Sequence, residues 1–282
     1  MTHALRDVLK LVPSRATSDG DGVKLRRSIG GHDQRHLDPF LLLDEFGSEE
    51  GADYIAGFPA HPHRGFETVT YMLDGLMRHE DNSGESGLLG PGGVQWMTAG
   101  RGIVHSEMPE QCDGLMRGFQ LWVNLPAAEK MRAPRYQNLE AHEIPEVTRA
   151  DGIRIRVIAG HAEGVEGAVG GIAVAPLYLD LSLPAGAGYL VPIAKTHTAF
   201  AYVFEGEASI GAAAIGRQVA AGTLAILGAG DGVALAAGAN GGRLLVVAGR
   251  PLDEPIVQYG PFVMNTSAEI EQAIRDYQSG NF

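Results

Sequence analysis

Cysteine is almost missing from this chain: Cys112 is the only one in 282 residues. That excludes an intrachain disulfide and any metal cluster held by several thiolates, and it fits a reducing compartment, so a cytoplasmic location is expected. Long apolar runs are missing too. No stretch approaches the ~20 apolar residues that a membrane-crossing helix needs. The N-terminal MTHALRDVLKLVPSR has neither an apolar core nor a small-residue cleavage pattern, so no signal peptide is expected. Positive charge is scarce, with 22 Lys and Arg against 34 Asp and Glu, a formal net charge of -12. The one basic cluster, Lys24, Arg26 and Arg27, has Asp19, Asp21 and Asp33 close by in sequence, which argues against a nucleic-acid surface. The chain also lacks a GxSxG elbow, an HExxH pair, a GxxxxGK[ST] phosphate loop and a CxxC pair.

Glycine, by contrast, is abundant, at 39 residues with 15 prolines and no G-X-Y period. Frequent Gly and Pro between short apolar runs describe many tight turns joining many short strands, so an all-β fold is expected. VKLRRSI, FLLLDEF, GFETVTYML, GGVQWMTA and MRGFQLWVNL read as strands of a first half. PLYLDLSL, THTAFAYVFEGEASI, TLAILGAGDGVALAAG and GRLLVVAG read as strands of a second half, rich in Ala and Gly, with a slim core expected. A polar, Pro-containing stretch between them sets the expected domains at 1–143 and 144–282. One helix is expected, within NTSAEIEQAIRDYQSG. Thr266 or Ser267 would cap it, Ile270, Ile274 and Tyr277 would form its apolar stripe, and Gly280 would end it.

Two short segments carry the chemistry. FPAHPHRGFE places His61 and His63 two residues apart, and GIVHSEMP does the same for His105 and Glu107. In a strand, residues i and i+2 share a face, so each segment can present two side chains to one point between neighbouring strands. Three imidazoles and a carboxylate suit a divalent transition metal and leave one or two coordination positions open for water, O2 or a substrate oxygen. Fe(II) is the first choice, and Ni, Mn, Co, Cu or Zn are not separated from it by ligand type. The plainer account of an HxH pair is two hydrogen-bonded histidines on a sheet face. Glu67, with the parity of His61 and His63, is a rival ligand if a bulge at Gly65 re-aims it; otherwise it is a carboxylate that pairs with Arg64.

The remaining histidines read as solvated or loop residues: His32 and His36 in a polar loop, His142 and His161 in connections, His79 exposed or at a cavity rim. Phe58, Phe66, Trp96, Met97, Phe119 and Trp122 are candidate walls of an apolar cavity, and Gln95 and Gln120 are candidates to orient a metal-bound histidine. Cys112, beside Glu110 and Asp113, has no cation to stabilise a thiolate and is not a nucleophile candidate.

FPAHPHRGFETVTYML followed by GPGGVQWMTAGRGIVHSEMP, with LDPFLLLDEF before them and GPFVMNTSAEIEQAIRDYQSGNF at the C-terminus, resembles the pirin family of bicupins. The resemblance implies two cupin-type (jelly-roll) β-barrels. The N-terminal one would bind metal through the matching His61, His63, His105 and Glu107; the C-terminal one would be degenerate, with the last helix packing back on the first barrel. It further implies metal-dependent dioxygenation that opens the ring of a flavonol such as quercetin, with O2 uptake and CO release. Glu107 would serve as the general base. The alternative is a non-catalytic, metal- or redox-responsive regulator that binds a protein partner. The expected partners are a small planar aromatic substrate and O2, with no membrane or direct nucleic-acid partner, acting on a monomer.

Overall fold

The computed structural model describes residues 4–212 and 216–282 and is built of β-sheet with one α-helix. The described chain forms two compact units, and it crosses between them three times. One unit holds the chain up to Ser14 together with Glu143–Pro251; the other holds Arg15–His142 and Leu252–Phe282. The sequence expectation of contiguous domains meeting at 143/144 differs from this division at both ends. Strand β1 (Val8–Pro13) pairs antiparallel with Thr223–Leu227, and the last 31 residues, 252–282, join the unit that begins at Arg15. Pairing across some 200 residues leaves no local mark in a sequence.

The unit beginning at Arg15 is a two-sheet barrel. Its strands are β2 (Arg15–Asp19), β3 (Val23–Ile29), β4 (Phe40–Ser48), β5 (Phe58–His63), β6 (Phe66–Asp74), β7 (Met77–Asp81), β8 (Ser86–Leu89), β9 (Val94–Thr98), β10 (Ile103–Pro109), β11 (Met116–Asn124) and β12 (Arg135–Leu139). Seven form a sheet in the order β12-β9-β6-β11-β4-β3-β2, and four form a second in the order β5-β10-β7-β8. Strands β4 and β6 sit inside the larger sheet and are buried along most of their length, which is why they read as nearly continuous apolar runs. Strand β10 instead alternates, burying Ile103, His105 and Glu107 on one face.

Helix α1 (Ser267–Gln278) follows a Val257–Tyr259/Phe262–Met264 hairpin. Thr266 is its N-cap, and the Thr266 and Glu269 side chains each accept from the other's backbone N–H, a reciprocal capping box. Ile270 and Ala273 are buried and Ile274 packs beside them, whereas Tyr277 is 40% exposed and leans on Phe262 and Phe282. The hairpin is held by Lys130, whose Nζ donates to Gly65 O (2.7 Å), Asn124 Oδ1 (2.7 Å) and Val263 O (2.9 Å).

The second unit is a nine-stranded antiparallel assembly whose longest strands are Thr198–Ile210 and Gly232–Gly249. Its interior is filled by Leu, Ile, Val and Ala side chains, among them Leu179, Leu181, Val203, Leu244 and Val246. Among the described residues, no helix is long and apolar enough to cross a membrane.

Candidate metal centre

Strands β5 and β10 pair antiparallel with His61 directly opposite His105, so an HxH segment and an HxE segment meet at one place. The three rings of His61, His63 and His105 form a triangle with centroid separations of 4.7, 4.5 and 5.0 Å. One ring nitrogen from each lies within 4.8 Å of the other two, which makes them a group able to hold a metal ion. His61 Nδ1 lies 2.8 Å from the carbonyl of Pro59. A carbonyl only accepts, so the proton sits on Nδ1 and the Nε2 lone pair is directed inward. That Nε2 is 3.1 Å from Nε2 of His105. Two nitrogens that far apart, each about 2.1 Å from a shared ion, subtend about 95° at it, a normal angle between neighbouring ligands.

Burial holds the pKa values of His63 and His105 well below the usual histidine value, and the neighbouring imidazoles lower them further. Neutral rings at physiological pH keep their lone pairs for a metal. Nδ1 of His63 and Nδ1 of His105 are buried with no hydrogen-bond partner. Orphaned imidazole nitrogens beside two facing ones fit a site built for a cation rather than a self-satisfied hydrogen-bond cluster.

Glu107 is 3% exposed and borders the same cavity as His61 and His63. Thr70 Oγ1 donates to its Oε1 (2.8 Å) and Gln120 Nε2 to its Oε2 (3.1 Å). The ladder slips by one residue between His105 and Glu107 where β10 meets β5, so Glu107 faces Phe58 rather than continuing the register. Glu67 is elsewhere. The chain leaves β5 at Arg64-Gly65 and enters a different sheet, so strand parity does not carry from His63 to Glu67. Gly65 is the break itself and not a bulge: it has φ +89°, and a Cβ there would lie 2.0 Å from the Val263 carbonyl. Glu67 accepts from Trp96 Nε1 (3.0 Å) and Thr98 Oγ1 (2.7 Å), while Arg64 pairs with Asp276 at 2.7 Å.

A row of polar residues runs across the larger sheet. Arg27, Asp44, Gln120, Thr70, Gln95 and Asn138 stand opposite one another in register on β3, β4, β11, β6, β9 and β12. Gln120 thus steadies Glu107 and not a histidine. Gln95 bonds Nδ1 of His79 and Asn138 Oδ1 (3.0 Å). His79 is neither exposed nor at a rim: it is 3% exposed, lies opposite Glu107 on β7 and stacks on Tyr136 at 5.0 Å. His36 bonds Gln258 at 2.9 Å. Sequence reasoning missed Thr70 and Asp44; the signal was a polar residue within each largely apolar run, FETVTYML and FLLLDEF.

A cavity of about 700 Å³ opens beside the imidazoles, large enough for a compact aromatic ligand. Of the six aromatic or sulfur-bearing wall candidates, Phe58 and Trp122 border it. Phe66, Trp96, Met97 and Phe119 are at most 1% exposed and pack in the core. Leu25, Leu41, Leu42 and Phe46 add an apolar wall, and an ionic group formed by Arg27, Asp44 and Asp19 borders the same cavity.

A family model described as Pirin matches residues 22–123, and one described as Pirin C-terminal cupin domain matches residues 178–282. A Pseudomonas aeruginosa protein provisionally named a quercetin 2,3-dioxygenase is 51% identical over 98% of this chain and 97% of its own. Pirin of Homo sapiens is 46% identical over 95% of this chain and 91% of its own. The crystal structure of a quercetin 2,3-dioxygenase from Acinetobacter baumannii matches with a TM-score of 0.90 at 36% identity, covering 99% of each chain.

Proposed function

The chain belongs to the pirin family, and from that premise we propose that its first barrel is a metal-dependent dioxygenase opening the ring of a flavonol-like substrate with release of CO. The observation that carries this reading is a cavity with an apolar wall that is bordered by His61 and His63, two of three converging imidazoles. Supporting it are the 36% identical Acinetobacter baumannii quercetin 2,3-dioxygenase of the same fold and the 51% identical Pseudomonas aeruginosa relative.

In this reading His61, His63 and His105 hold the metal and Glu107 completes the set, with Fe(II) as the ion. When bound, the metal supplies a Lewis-acidic position for a substrate oxygen and a redox partner for O2. The protein's own groups do the rest. A ring hydroxyl entering the cavity meets Glu107, whose carboxylate accepts its proton as general base. Thr70 and Gln120 each donate to one oxygen of that carboxylate, so they keep it oriented as it loosens from the metal to take the proton. Trp122, Phe58 and the leucines beside them keep bulk water from the reacting ring. One cysteine supports a cytoplasmic protein, and a net charge of -12 supports one that acts without nucleic acid.

The test is quercetin turnover by protein loaded in turn with Fe, Ni, Mn, Co or Cu, with CO and O2 measured together. One CO released per O2 consumed is the expected result. Quercetin bound but no CO from any loaded form overturns the reading and leaves the regulatory alternative, in which a protein partner binds in a metal-dependent way.

A further inference from the structure

The cavity beside the imidazoles is also bordered by an ionic group. Arg27 and Asp44 face each other on β3 and β4. Nε and Nη2 of Arg27 donate to the two Asp44 oxygens at 2.8 and 2.7 Å, and Nη2 also reaches Asp19 at 2.6 Å. The bonds of the guanidinium to Asp44 and Asp19 use Nε and Nη2, which leaves Nη1 as its remaining donor on a residue that borders the cavity. Asp44 is 3% exposed, yet it too borders the cavity. The turn bearing Asp19 is seated in place. Asp21 N donates to Gly57 O at 3.1 Å, and a Cβ on Gly20 would lie 2.6 Å from that same carbonyl.

We infer that Arg27, Asp44 and Asp19 form a specificity site that receives adjacent phenolic hydroxyls at the end of the ligand remote from the metal. The inference rests on the ring-opening reading of the same cavity. Arg27 stands two strands from Gln120, about 10 Å at the usual strand spacing, so a ligand that touches Glu107 with one ring reaches Arg27 with another. The chemistry of the site selects the group. Asp19, Asp21 and Asp44 outnumber the single guanidinium, so a carboxylate or sulfate at this end is repelled. A phenol hydroxyl both donates and accepts: one of an adjacent pair donates to a carboxylate while the other accepts from Nη1. A bare ring covers the same charged groups and returns no hydrogen bond, and that penalty is the source of the discrimination.

Anaerobic calorimetric titration of the Fe(II)-loaded protein with quercetin and with galangin, the flavonol without hydroxyls on the pendant ring, tests this. Wild-type protein is expected to bind quercetin about tenfold or more tightly than galangin, the ratio that one or two net hydrogen bonds produce. Arg27→Lys keeps the charge beside Asp44 but removes Nη1, and is expected to bring the two affinities within about twofold. Asp19→Asn, on an exposed turn, is expected to reduce the preference without disturbing the fold. Equal affinities in the wild type, or a preference preserved in both variants, overturns this inference alone. A wild type that binds neither flavonol overturns it together with the ring-opening reading.

Discussion

His61 Nε2 and His105 Nε2 face each other at 3.1 Å across the β5–β10 ladder, and the proton on Nδ1 of His61 leaves the first of them with its lone pair inward. Two ring nitrogens at that distance, with His63 beside them, form a group able to hold a shared cation.

Metal binding therefore stabilises the folded barrel. With free metal at about 100 times its Kd the linkage gain is about 2.7 kcal/mol. In a protein of this size that raises Tm by about 5–10 °C. Calorimetric scans with metal and with chelator are expected to differ by that amount for wild type and to coincide for His105→Ala. A metal-dependent shift that persists in His105→Ala would remove that residue from the site.

Thr70→Val takes one donor from Glu107 while preserving shape. Metal content measured by emission spectroscopy is expected to hold. Turnover is expected to fall about tenfold, the equivalent of roughly 1.4 kcal/mol of lost positioning. Loss of metal instead would mean that Thr70 maintains the ligand set and not the base.

Lys130→Met leaves Gly65 O, Asn124 Oδ1 and Val263 O without the donor they share. Each buried acceptor stripped of its donor costs about 1–3 kcal/mol, so a loss of at least about 3 kcal/mol in urea unfolding is expected. A change under about 1 kcal/mol would show that water replaces the ammonium.

Burial raises the Glu67 pKa above its ordinary 4.5, despite hydrogen bonds from Thr98 and Trp96 that lower it. Above 4.5 the folded state binds the proton more tightly than the unfolded state, so the contribution of Glu67 to stability is fully present below 4.5. It is lost as pH rises through the elevated folded value. Unfolding free energies of wild type minus Glu67→Gln are expected to decline across that interval. A difference that is flat or rises with pH would contradict the burial effect.

Much of the site was legible because it depends on local parity. HxH and HxE in strands each put two side chains on one face, and both segments are strands. The helix was legible for the same reason: its cap, first-turn glutamate and apolar positions all fall within one short segment. The partners of Glu67 were not legible, because strand parity fails at Gly65, where a Cβ would meet the Val263 carbonyl nearly 200 residues away, and Glu67 bonds Trp96 and Thr98 rather than Arg64. His79 misled because its neighbours in sequence are polar, while the residues that bury and bond it, Tyr136 and Gln95, come from other strands.

By itself, then, the sequence determined an all-β chain, one capped helix, and two pairs of side chains each aimed at a common face. Tertiary structure alone decided that the pairs meet, that Thr70 and Gln120 grip Glu107, and that Arg27 and Asp44 border the same cavity. The physical reason is register. Which side of a strand a residue faces is settled by its immediate neighbours, whereas which residue stands opposite is settled by turns and bulges distributed over the whole barrel.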